Sequence, residues 1–174
     1  ILRNDLEHKL WICRHPMFLY KLNYLLVKPM SYHVNPMAIV KKDFNGFQNL
    51  RNYMVGWAYR QPWDYNDANV CTIQHSGWHF TFFGDTNNAA TKLMSFAHTE
   101  AQQYVNNLDI EKNIAEKIFF DSNTPERFEY VEIDEYFPKT VLDNLERWKN
   151  SIVPNANLSI RDYVPVLNLD EIYK

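Results

Sequence analysis

Glycine is scarce in this chain, with four in 174 residues. That is roughly a third of what an average usage of about 7% supplies. With so few, the sequence has neither a G-x-G-x-x-G nor a G-x-x-x-x-G-K-[ST] run. A dinucleotide fingerprint and a phosphate-cradling P-loop are both excluded, because each needs glycine where backbone closely approaches phosphate. Positive charge is equally limited: 18 Lys and Arg stand against 21 Asp and Glu, for a formal net charge of -3. No basic block occurs, so no nucleic acid is expected as a partner. No apolar run approaches the ~18 residues that suggest a membrane-spanning helix. The longest, Met17 to Val27, is interrupted by Lys21 and Asn23, so no membrane segment is expected. Cys13 and Cys71 stand alone without C-x-x-C spacing; they could pair in an oxidising compartment or remain apart.

Aromatic residues are plentiful: 11 Phe, 11 Tyr and 5 Trp. With 46% hydrophobic and 22% charged residues, the composition is that of a folded domain rather than a disordered chain. Neither a repeat nor a domain boundary is visible, so residues 1–174 read as one domain. The chain opens on Ile1 without an initiator methionine and reads as an excised or processed piece.

Strand patterns dominate the first third: Leu10 to Cys13, then Met17 to Val27 as one long or two short strands. Met37 to Val40 follows, between the turn signals Asn35-Pro36 and Asn45-Gly46. Leu50 to Arg60 carries helical spacing weakened by Gly56, and Gln61 to Asn69 reads as a polar loop. Val70 to Ile73 and His79 to Phe83 form two more strands; in the second, alternation puts Phe80 and Phe82 on one face and His79, Thr81 and Phe83 on the other. Asp85 or Thr86 caps a helix predicted from Asn87 to about Asn107, whose apolar stripe is Ala90, Leu93, Met94, Ala97, Ala101, Tyr104 and Leu108. A second helix is predicted over Ile110 to Phe119, with Ile110, Ile114 and Ile118 in line. Phe128 to Ile133 is a strand. Pro138 opens a third helix burying Val141, Leu142, Leu145 and Trp148, and the tail from Val153 is irregular. The fold class is α/β, a mixed sheet with flanking helices.

Chemistry-bearing residues concentrate in a few places. His75 and His79 lie four apart, but across a strand–turn–strand rather than on a helix, so the H-E-x-x-H logic of zinc peptidases fails. No Ser sits in a G-x-S-x-G elbow. His98 and Glu100 each fall about 80° from the centre of the helical stripe, on opposite edges. They either snorkel beside the apolar face or serve a site. His79 is a core histidine or a ligand; Trp78, beside Gly77, is packing or a stacking surface for a sugar ring. Asp134 and Glu135 follow a strand end, where α/β proteins place ligand contacts, although a solvated turn also accounts for them.

In chain order, Gly77-Trp78-His79, Ser95-Phe96-Ala97-His98-Thr99-Glu100, Tyr130-Val131-Glu132-Ile133-Asp134-Glu135 and Phe137-Pro138 with Asn144 resemble glycosyltransferase family 17. Phe18-Leu19-Tyr20-Lys21-Leu22-Asn23 is similar to that family's aromatic strand ending in Leu-Asn. The similarity covers about Phe18 to Asn150. The family includes the N-acetylglucosaminyltransferase that adds the bisecting GlcNAc to N-glycans. The resemblance implies a fold like the GT-A (Rossmann-like) type and inverting transfer of N-acetylglucosamine from UDP-GlcNAc to a glycan acceptor in β linkage. Its cofactor would be a divalent cation, Mn²⁺. Such a reaction needs a carboxylate to take the acceptor's proton and positive charge on the departing diphosphate.

Carried onto this sequence, the resemblance makes His79 the metal ligand, Glu100 the base with Asp134 or Glu135 in reserve, and Gly77, Trp78 and His98 the substrate-binding residues. The family's Asp-x-Asp motif has no counterpart here; Ile1 to Glu7 is similar to the helix that follows it. The chain is therefore expected to be inactive alone. Its compartment would be the Golgi lumen for an animal-type member and the cytoplasm for a bacterial or viral one. A non-catalytic carbohydrate-binding module, with Trp57, Trp63 and Trp78 stacking on sugars, is the alternative expectation.

Overall fold

The structure is a computed structural model that describes residues 10–28, 32–33, 37–49, 70–73, 76–95, 99–120 and 126–163. Leu50 to Arg60, Gln61 to Asn69, His75 and His98 lie outside the described residues, as does the side chain of Glu100. The elements run β1 (Leu10–Cys13), β2 (His15–Leu19), β3 (Tyr24–Lys28), β4 (Tyr32–His33), β5 (Met37–Ile39), β6 (Val70–Ile73), β7 (His79–Thr81), α1 (Thr86–Ser95), α2 (Ile110–Glu116), β8 (Arg127–Tyr130), α3 (Lys139–Leu142) and α4 (Leu145–Trp148), with 3-10 turns between some of them. The architecture is mixed α/β with two mixed sheets. The chain divides into two compact units, Ile1–Pro16 with Tyr32–Gly77 and Val164–Lys174, and Met17–Ser31 with Trp78–Tyr163.

In the first unit β1 is central. It pairs antiparallel with β5 and parallel with β6. Leu10, Trp11 and Ile12 are all buried, as expected for a short strand with neighbours on both edges. The loop after β1 is tied to β6 and beyond: Arg14 N–H donates to the Ile73 carbonyl at 2.8 Å, and Ser76 donates to the Arg14 carbonyl from both N–H (2.8 Å) and Oγ (3.0 Å). Cys13 and Cys71 form no disulfide. Their register explains it: Cys13 is partnered by Ile73 and Cys71 by Trp11. The two thiols are thus a full pleat apart on neighbouring strands, beyond disulfide reach.

The second unit is built on β2, β3, β7 and β8. Met17 to Val27 is two strands: β2 and β3 pair antiparallel through Phe18 and Leu25. Tyr20 turns the chain between them with a left-handed φ of 57°. That conformation costs an aromatic residue roughly 1–2 kcal/mol, and it is held by burying the ring and by the Tyr20 hydroxyl donating to the Phe119 carbonyl at 2.7 Å. β7 lies parallel to β2, and β8 lies antiparallel to β3 with a bulge between Leu26 and Lys28. Both faces of this sheet are covered. On one face Tyr24, Leu26 and Phe128 join Ala89 and Leu93 of α1 and Ile110 and Ile114 of α2. On the other, Phe18 stacks on Phe80 at 5.1 Å and meets Phe137 at 5.4 Å.

Two buried asparagines organise this unit. Asn113 of α2 donates from Nδ2 to the Phe119 carbonyl at 2.7 Å and the Phe120 carbonyl at 3.2 Å, while its own carbonyl accepts from the Tyr24 hydroxyl at 3.0 Å. Asn23 donates from Nδ2 to the carbonyls of Val131 (3.0 Å) and Val153 (2.9 Å) and accepts at Oδ1 from Val153 N–H (2.8 Å). Each bond satisfies a group that burial would otherwise penalise.

Several sequence expectations are corrected. The helix predicted to Asn107 stops at Ser95, and Thr99–Asn107 is a 3-10 segment. Side chains take carbonyls at the C-terminus of α1: Ser95 Oγ donates to Lys92 at 3.0 Å and Gln102 Nε2 to Met94 at 3.1 Å, supplying partners that the helix end lacks. The stripe also differs, with Ala89 buried and Met94 57% exposed. Asp85 caps this helix, its Oδ1 accepting from Asn88 N–H at 2.8 Å. The strand predicted to Phe83 ends at Thr81, because Phe82 takes a left-handed φ of 49°. Phe82 therefore joins the α1 and α2 core, on the face opposite Phe80. The third helix is two four-residue helices interrupted at Asp143-Asn144, which leaves Leu145 43% exposed.

Candidate functional site

β7 carries two candidate residues that diverge. Thr81 is buried and accepts a hydrogen bond from Lys92 Nζ of α1, so the face of β7 shared by His79 and Thr81 is the α1 face. Trp78 and Phe80 belong to the opposite face, where Phe80 lies against Phe18. There the Trp78 indole N–H donates to the Tyr136 carbonyl at 3.0 Å. This bond joins the start of β7 to the turn after β8.

That turn is shaped by Asp134. Its Oδ1 accepts from Tyr136 N–H at 3.0 Å, its carbonyl accepts from Phe137 N–H at 3.0 Å, and its Oδ2 accepts from Ser159 Oγ at 3.1 Å. Aspartate suits this role because its short carboxylate can mimic a backbone acceptor. Ser159 in turn caps the 3-10 turn Ile160–Asp162, which sets the Arg161 guanidinium 4.6 Å from the Tyr136 ring centre. Glu135 is exposed on the same turn, and Phe137 is buried beneath it. Beside it lies a groove of about 540 Å³, lined by Asn23, Glu132, Ile133, Leu145, Lys149 and Val153 among others. Its rim holds the Glu146–Lys149 ion pair.

The structure thus brings Trp78 together with Asp134, Glu135 and Tyr136, and places His79 on the other side of the sheet. Glu100 lies in the Thr99–Asn107 segment. That segment is on the α1 side: Tyr104 and Val105 pack on the core there, and Gln102 bonds to α1. His79 and the backbone of Glu100 therefore share a side. Gly77 adjoins Trp78; a Cβ there would meet no heavy atom within 4 Å among the described residues, so packing does not demand glycine. Among the described residues no three His, Cys, Asp or Glu side chains converge in a way that could hold a metal ion, and both Asp134 oxygens are already hydrogen-bonded. The described residues do not by themselves make a Mn²⁺ site.

Sequence reasoning passed over Lys92, Ser159 and Arg161. Burial pushes the Lys92 ammonium below its ordinary value, and it sits 4.6 Å from the Phe82 ring centre, a half-buried cation on the face of His79. Its signal was a lysine in the turn before Phe96. Ser159 and Arg161 lie in the tail read as irregular and had no local signal.

Comparison with protein-family models, with curated proteins and with solved structures finds no match for this chain.

Proposed function

We propose that the chain is part of an inverting glycosyltransferase of the family 17 kind, moving N-acetylglucosamine from UDP-GlcNAc to a glycan hydroxyl. The observation that carries this reading is the Trp78–Tyr136 hydrogen bond. The reading rests on separate stretches of sequence, and this bond joins Trp78 of one of them to the Tyr130–Phe137 stretch within the second unit. The parallel β2–β7 pair, covered by α1 and α2, fits the GT-A-like fold that the reading requires.

Within this proposal the residues divide by face. Trp78, Tyr136 and the adjoining groove hold a part of the glycan remote from the reacting hydroxyl, which lies on the side of His79. Glu100, on the side of His79, is the base for the acceptor proton. Asp134 holds the turn, since both its oxygens are occupied. Mn²⁺ would supply charge for the departing diphosphate; the carboxylates that bind it would come from beyond the described residues, with His79 beside them.

The test is UDP release from UDP-GlcNAc by the native full-length protein, with Mn²⁺ and with EDTA, in wild type, His79→Ala and Glu100→Gln. Metal-dependent release, abolished in Glu100→Gln and weakened in His79→Ala, is the expected result. No release from any common nucleotide sugar, with glycan binding intact, would overturn the transferase in favour of a carbohydrate-binding module.

A further inference from the structure

We propose that Asn45 is a site of spontaneous covalent modification, converting to aspartate and isoaspartate through a succinimide formed with Gly46. Asn45-Gly46 is the chain's sole Asn-Gly pair, and it lies after the 3-10 turn Lys41–Asp43 in the first unit. Three observations converge on it. Asn45 is exposed. Its backbone carbonyl is engaged by Asn49 Nδ2 at 3.0 Å, yet among the described residues neither its side-chain amide nor the Gly46 N–H makes a hydrogen bond. Gly46 has a φ of 114°, and among the described residues no heavy atom lies within 4 Å of where its Cβ would be. Asn45 is exposed, and the glycine that follows it puts no side chain in the way of ring closure.

The chemistry is complete with water alone. Gly46 N loses its proton and attacks Asn45 Cγ, forming an N–C bond. The tetrahedral adduct expels the side-chain nitrogen, which takes up a proton and leaves as ammonia. Water then adds to either carbonyl of the five-membered ring and breaks one C–N bond, giving aspartate or isoaspartate in place of Asn45. Neither oxidant nor enzyme is needed. The isoaspartate product lengthens the main chain by one methylene between Phe44 and Phe47, whose rings meet edge-on at 4.9 Å. Phe47 is 82% exposed, so the conversion alters an aromatic knuckle on the surface and adds a negative charge near Lys41 and Lys42.

Asn150-Ser151 is the internal control. Asn150 is exposed as Asn45 is, but the residue after it carries a side chain, and its 3-10 turn is tied at two carbonyls, Asn150's to Lys21 Nζ at 3.2 Å and Ser151's to Leu22 N–H at 2.8 Å. The experiment incubates the intact folded protein at physiological pH and temperature. It follows the amide-to-acid mass gain peptide by peptide, with isoaspartate detected by enzymatic methyl transfer. The same chain in urea and the Asn45→Gln variant run beside it. Expected are conversion at Asn45 at a rate comparable to that in urea, faster at higher pH, protection at Asn150, and loss of the methylation signal in Asn45→Gln. A folded protein that keeps Asn45 intact while the urea sample converts would overturn the proposal, as would equal conversion at Asn150.

Discussion

Asn23 grips Val153 from both ends of one side-chain amide, donating to its carbonyl at 2.9 Å and accepting from its N–H at 2.8 Å. The remaining amide hydrogen reaches the Val131 carbonyl at 3.0 Å, so one side chain clasps the segment after α4 to the end of β8. Asn23→Leu keeps the volume and removes all three bonds, leaving part-buried backbone groups without their partners. The expected cost is about 1–3 kcal/mol, read as a lower urea midpoint, with faster amide hydrogen exchange at Val153 than at Ile114.

Gly84 has a φ of 117°, and a Cβ there would come within 2.6 Å of Asn88 Nδ2. The two effects separate cleanly. Asn88 is exposed and its amide can swing away, whereas the backbone conformation cannot be relieved. Gly84→Ala is expected to lose about 1 kcal/mol, and Gly84→Ala with Asn88→Ala to recover little of it in thermal melts.

Burial holds the His15 imidazole below its ordinary value of 6.5. The folded protein therefore resists a proton that the unfolded chain accepts. The associated stability is complete above 6.5 and is lost as pH falls from there through the folded value. The imidazole proton resonances should titrate with a midpoint below 6.5. The urea midpoint should decline with acid over the same window, and His15→Asn should flatten that part of the decline.

At the alkaline end the relevant groups are phenols. Burial raises Tyr20 and Tyr24 above the ordinary value of 10.0, and for Tyr24 the neighbouring Tyr130, Tyr20 and Glu129 add to it. Their contribution is complete below 10.0 and disappears as pH climbs past it, because only the unfolded chain ionises readily. Tyrosinate absorbance should therefore rise in two stages, exposed phenols first and these two together with the loss of tertiary structure. A single gradual rise with the fold intact would contradict the buried placement of both rings.

Where one element dictated its own shape, the sequence was readable. Ile110, Ile114 and Ile118 are buried as their spacing predicts, Asp85 caps α1, and the strands at Leu10–Cys13 and Val70–Ile73 lie where the apolar runs put them. Failures came where a distant partner decided. Nothing near Phe82 in sequence announces a left-handed turn; the pocket made by Phe119 and Phe120, each 5.7 Å from its ring, holds it there. Met94 read as core because the stripe was drawn from Ala90, whereas α1 buries Ala89 and Leu93, a face from which Met94 points away. Of the candidate site, Trp78 and Asp134–Glu135 were legible as residues, but their juxtaposition was not. It depends on the parallel pairing of β2 with β7, which sets Phe80 against Phe18, where Phe137 also packs.

β3 and β8 pair from opposite ends of the second unit's sequence, and the bonds beside them join residues 108 and 130 positions apart. A ribosome working from the N-terminus releases β2 and β3 long before β8 exists. Phe18, Leu25 and Leu26 must wait in water as an apolar hairpin with both edges open while residues 32–77 are made. Closing so large a loop is slow, and the waiting hairpin is the kind of surface that chaperones bind and that aggregates when they do not. A nascent chain stalled before Arg127 should therefore be captured by a chaperone, and one stalled well past Val153 should be released.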